Sequence, residues 1–147
     1  MPAMKRLLKT LFLGLCTLFI IQVTANAAER KDIYDSNGHR TGYYLIDSQG
    51  NIDEYNEHGR RVGTYKKTSS GYDHYNSNHV RTETIRETGS GFATYNSNNV
   101  KTSETRSSGS GYDTYSPNNV RTESTRIDSS GNQTVYDKNG KVIKRIK

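Results

Sequence analysis

A phrase of one dozen residues recurs along this chain at intervals of twenty. It reads Gly71-Tyr72-Asp73-His74-Tyr75-Asn76-Ser77-Asn78-His79-Val80-Arg81-Thr82, then begins again at Gly91 and at Gly111. Tyr34, Tyr55, Tyr75, Tyr95, Tyr115 and Tyr136 mark six copies. A repeat of this length is one small supersecondary unit, which buries its faces only by packing on its neighbours.

Two turns punctuate each copy. After the tyrosine come Asn37-Gly38, His58-Gly59 and Asn139-Gly140 in the outer copies, and Asn78-His79, Asn98-Asn99 and Asn118-Asn119 in the middle ones. Asn-Gly between extended residues is the strongest short hairpin signal. A two-residue turn with positive φ at both centres accepts Gly freely and Asn or His at moderate cost. Gly38, Gly59, Asn98, Asn99, Asn118, Asn119 and Gly140 are therefore read as turn residues. A second turn precedes Gly50, Gly71, Gly91, Gly111 and Gly131. Between the turns lie stretches of strand length, rich in β-branched and aromatic residues and without helical spacing.

The expected fold is all-β: tandem hairpin repeats forming an antiparallel meander, with a β-solenoid or a largely disordered repeat as the alternatives. Arg81, Lys101 and Arg121 occupy equivalent positions, as do Arg86, Arg106 and Arg126. A solenoid would stack each set on adjacent strands, where like charges repel; a meander doubles their separation. After residue 27 the chain has only one Leu, one Phe, seven Ile and six Val. Such poverty in aliphatics suits disorder, whereas the low net charge and the register of the tyrosines favour folding. The meander is expected to be thin or rolled on itself, with open end strands available for pairing. Lys144, Arg145 and Lys147 would guard one edge.

The first 27 residues read as a secretory leader. Lys5, Arg6 and Lys9 precede an apolar run from Leu11 to Ile21, and Ala25-Asn26-Ala27 supplies the small residues of a cleavage site. The run is shorter than the roughly 20 residues of a membrane span. The expected organisation is a leader at 1–27 and a single domain at 28–147, exported to a periplasm or secreted, with no stable membrane span after cleavage. The leader takes three of the 21 Lys and Arg and none of the 15 Asp and Glu, leaving 18 cations against 15 acids. That small excess does not make a nucleic-acid footprint. Cys16 leaves with the leader, so no disulfide or thiol chemistry is expected.

No catalytic constellation stands out. Serines and carboxylates recur with the repeat, whereas a nucleophile needs a unique base and orienting group. The chain is read as a non-enzyme without cofactor. His39, His58, His74 and His79 are read as turn formers rather than metal ligands. Asp47-Ser48-Gln49-Gly50 and Asp128-Ser129-Ser130-Gly131 are read as turns rather than calcium loops.

Tyr34-Asp35-Ser36-Asn37-Gly38 and Tyr136-Asp137-Lys138-Asn139-Gly140 resemble the opening of YD (RHS-type) repeats, and more loosely MORN-type and wall-binding hairpin repeats. The resemblance covers about residues 30–147. Long YD arrays form β-shells associated with carbohydrate binding and toxin delivery; only carbohydrate binding carries to these six copies. The aromatic residues are read first as cross-strand packing. Their functional reading is a ladder of Tyr72, Tyr75, Phe92, Tyr95, Tyr112 and Tyr115, interleaved with cations and Asn, that contacts a cell-surface polysaccharide or an envelope protein. Turn geometry explains Gly91, Asn98 and Asn99, and strand packing explains Tyr95 and Val100, which leaves Phe92, Tyr72 and Tyr112 as the residues most open to function. The alternative is a structural protein that self-associates by pairing its sheet edges.

Overall fold

The computed structural model describes residues 28–147. The expected leader, with Cys16 and its cleavage site, lies outside the described residues. Twelve strands follow in sequence: β1 (Glu29–Tyr34), β2 (Arg40–Ile46), β3 (Ile52–Asn56), β4 (Arg61–Thr68), β5 (Gly71–Asn76) and β6 (Arg81–Thr88), then β7 (Gly91–Asn96), β8 (Lys101–Ser108), β9 (Gly111–Tyr115), β10 (Arg121–Ile127), β11 (Gln133–Asp137) and β12 (Val142–Ile146). Each strand pairs antiparallel with the next, as a meander requires and a solenoid does not.

The sheet does not end in free edges. β12 returns to β1 and closes a barrel, with Ile33 opposite Ile146 and Tyr34 opposite Arg145. This overturns the open, edge-exposing sheet. Twisted sheets seldom exceed about ten strands without curling, and here each of six hairpins adds a bulge that increases the twist, as between Ile33 and Tyr34 or Thr94 and Tyr95. The C-terminal cations guard no edge. Lys144 is buried inside the barrel, Arg145 reaches the Ser36 carbonyl at 3.4 Å, and the Lys147 ammonium lies 5.5 Å from the Tyr34 ring.

The bulges explain the turns. The Asn96 carbonyl accepts from Asn99 N at 2.9 Å, and only Asn99 has positive φ, at 61°. This is a type I turn followed by a left-handed residue that starts the bulge, not a turn with two left-handed centres. Gly38, Gly59, His79, Asn119 and Gly140 hold the same place, with φ between 60° and 84°. Asn98 and Asn118 do not take positive φ, which corrects the reading of both. Asn96 Oδ1 completes the turn by accepting from Asn98 N and Val100 N at 3.0 Å each. Asp35, Asn56, Asn76 and Asp137 do the same in their copies. Val100, assigned to strand packing, is 58% exposed.

Alternate residues line the interior. The end of the barrel where β1 begins and β12 ends is packed with Ile46, Ile52, Tyr65, Tyr72, Ile85, Phe92 and Ile146, all buried. Large rings do the work of the missing leucines, each removing roughly 150–250 Å² from water. From β7 to β10 the filling turns to threonine: Thr94, Thr105, Thr114 and Thr125 are buried, with Thr105 and Thr114 hydroxyls 2.8 Å apart. Gly91 lets the next strand close in, since a Cβ there would stand 2.0 Å from the Thr105 carbonyl oxygen.

Candidate functional site

The six aromatic residues expected to form one ladder divide between the two faces of the sheet. Tyr72, Phe92 and Tyr112 point inward and are 6%, 9% and 7% exposed. Their rings, the least explained by the sequence, are largely core. Tyr75, Tyr95 and Tyr115 face outward and are half-buried. The signal was present: three residues separate Tyr72 from Tyr75, and an odd separation along a strand puts two side chains on opposite faces.

The outward tyrosines carry cations. The Arg86 guanidinium carbon lies 4.7 Å from the centre of the Tyr95 ring, and that of Arg106 lies 4.7 Å from the Tyr115 ring. Lys66 stands 5.4 Å from the Tyr75 ring. Each of these cations comes from the strand before its tyrosine. On the strand after it, Arg81, Lys101 and Arg121 pair directly with Tyr75, Tyr95 and Tyr115. Successive members of each column of like charge are thus kept apart by strands bearing tyrosine, which is what the meander offered. Two strands before Tyr75, Tyr55 of β3 stacks on Tyr43 of β2 at 4.8 Å and 6°, with Arg30 4.1 Å from the Tyr43 ring. Acids temper this surface: Glu104 pairs with Lys101 and Arg106, and Asp113 accepts from Arg126 at 3.2 Å and from Ser124 at 2.8 Å. These donors hold the Glu104 and Asp113 carboxyls below their usual range.

A second polar group lies inside, and the sequence reading missed it. Glu54, His74 and Lys144 are 3–5% exposed, and Glu123, half-buried, lies within electrostatic reach of Lys144. Burial pushes Glu54 up to about 7 against a pull from Lys144. Burial likewise raises Glu123 to about 7, with Lys144 lowering and Asp137 raising it. Burial also drops His74 to about 4, so its imidazole is neutral. His74 is therefore no turn former: it stands in β5, its ring 4.4 Å from that of Tyr65 and its Nδ1 2.6 Å from Thr82 Oγ1. Gly63 makes room for it, because a Cβ there would meet His74 Nε2 at 2.6 Å and Glu54 Oε2 at 3.5 Å. Alternation from Ile146 back to Lys144 is the signal that places the lysine inside.

The other polar candidates are absorbed by turns. Asp47 Oδ1 accepts from Gln49 N and Asn51 N at 2.9 and 2.8 Å, and Asp128 does the same for Ser130 and Asn132. Among the described residues no three His, Cys, Asp or Glu side chains group as metal ligands would. The chain matches no protein-family model, no curated protein and no solved structure.

Proposed function

We propose that this chain is an exported, non-enzymatic binding module that holds an anionic polysaccharide against the outer face of its barrel. The observation that carries this reading is the regular row of Tyr75, Tyr95 and Tyr115, each with one cation near its ring and a second directly opposite. Successive tyrosines lie two strands apart, about 9.6 Å, a spacing suited to a polymer that repeats its own units. Rings stack on sugar faces, and guanidinium groups donate to carboxylate or phosphate in pairs.

Charge distribution supports the reading. Residues 28–147 contain 18 cations and 15 acids; setting aside Lys144, Glu54, Glu83 and Glu123 inside the barrel leaves 17 and 12. The outward residues include Lys66, Asp73, Arg86, Glu104 and Arg106, the reverse of the apolar belt that a lipid-facing barrel presents. The test is retention of the exported chain on an immobilised uronate polymer and on neutral dextran. Salt-sensitive retention on the uronate that exceeds retention on dextran supports the proposal; equal retention on both, or none on the uronate, removes it. Single-stranded nucleic acid, which also suits rings and cations, is the competitor to include.

A second reading is self-association. The seam between β1 and β12 has two paired positions, against four to six at every other strand pair. Opening it would free the two edges that closure hides.

A further inference from the structure

The end of the barrel where β1 begins and β12 ends holds a cleft of about 430 Å³ beside the turn that joins β6 to β7. Phe92 and Tyr112 line it together with Glu87, Ser90 and Ser107. Its origin is a departure from the repeat. Ser107 occupies the position held by Lys67, Glu87 and Ile127 in the other copies, and Thr105 stands where the preceding copy has Ile85. At Ser107 a long side chain is thus replaced by a short one on the rim, while Thr105, 3% exposed, lies below it. Ser107 lies opposite Tyr112, and Glu87 lies opposite Phe92. The space therefore opens between two aromatic residues carried by strands two apart.

We propose that this cleft seats one uncharged sugar unit, so that glycan binding has a rim subsite as well as an outer face. The inference rests on the glycan reading above and names a separate site within it. The exposed edges of the largely buried Phe92 and Tyr112 rings offer apolar surface to a pyranose. The hydroxyls of Ser90 and Ser107 donate and accept, and the Glu87 carboxylate accepts from sugar hydroxyls. The one charged residue in the lining is an acid, which disfavours a uronate or phosphate and distinguishes the cleft from the cationic outer face. The volume lies within the range of small-ligand sites.

The experiment is a titration of the exported, isotope-labelled chain with neutral tetrasaccharides of glucose and of N-acetylglucosamine, followed by amide chemical shifts. The proposal expects shifts centred on Ser90, Phe92, Ser107 and Tyr112. Ser107→Ile, the residue present one copy later, should weaken binding more than tenfold, and Glu87→Gln, at an exposed position, about tenfold. Shifts centred elsewhere, unchanged binding by Ser107→Ile with its remaining spectrum intact, or no response to either sugar overturns it. Retention on the uronate polymer without cleft shifts refutes the rim subsite alone. Failure of both refutes the glycan reading as well.

Discussion

Asp32 and Lys147 exchange two backbone hydrogen bonds, Asp32 N to Lys147 O at 2.8 Å and Lys147 N to Asp32 O at 3.0 Å. With the two register pairs of β1 and β12, they turn a meander into a barrel. Deleting Lys147 removes both bonds and the cation beside Tyr34. The expected cost is about 1–3 kcal/mol, read from the denaturant midpoint. Amides of β1 should exchange faster while those of β5 and β6 keep their protection. Sedimentation of the same variant should show more dimer, because opened edges pair.

The carboxyls inside the barrel predict a pH dependence. Glu54 and Glu123 titrate near 7 in the fold against a usual 4.5. The fold therefore keeps protons that the unfolded chain has released. Their stabilising contribution is complete below about pH 4.5 and is lost as pH rises through 7. His74 works the other way: its fall from 6.5 to about 4 costs stability as pH drops through that window. Two carboxyls outweigh one imidazole, so these groups place the highest denaturant midpoint near pH 4.5, and the decline toward alkaline pH should run from there to about 7 and level off above it. Glu123→Gln should flatten the alkaline decline by about half, since Glu54 remains to face Lys144. Lys144→Met should steepen it, because both carboxylates then ionise without their counter-charge.

The bulge turns give a sharper contrast. Asn99 is left-handed and Asn98 is not. Asn99→Gly should stabilise the chain by up to about 1 kcal/mol, because glycine takes that conformation without steric cost. Asn98→Gly should destabilise it slightly by loosening the unfolded chain. Asn96→Ala, which removes the acceptor for two amides, should cost about 1 kcal/mol. Thermal melts of the three variants separate these outcomes.

The twenty-residue repeat makes the strands, the two kinds of turn and the antiparallel order legible in the residues themselves. Closure is not legible, because no single copy encodes it: it arises from accumulated twist and from one terminal residue bonding at Asp32. The candidate site is half legible. Tyr75, Tyr95 and Tyr115 emerge with their cations, but grouping them with Tyr72, Phe92 and Tyr112 ignores the alternation that sends the second set inward. Lys144 reads as a surface guard because it stands among Arg145 and Lys147, although its parity with Ile146 places it inside.

The outer tyrosine row is the centre of the functional account. Calorimetric titration of the exported chain with a uronate hexasaccharide tests it most directly, using a Tyr75→Ala/Tyr95→Ala/Tyr115→Ala variant and Ile52→Val as an interior control. The account predicts that the triple variant binds at least tenfold more weakly, about 1.4 kcal/mol, while Ile52→Val keeps the wild-type affinity. A triple variant that binds as tightly as the wild type would contradict it.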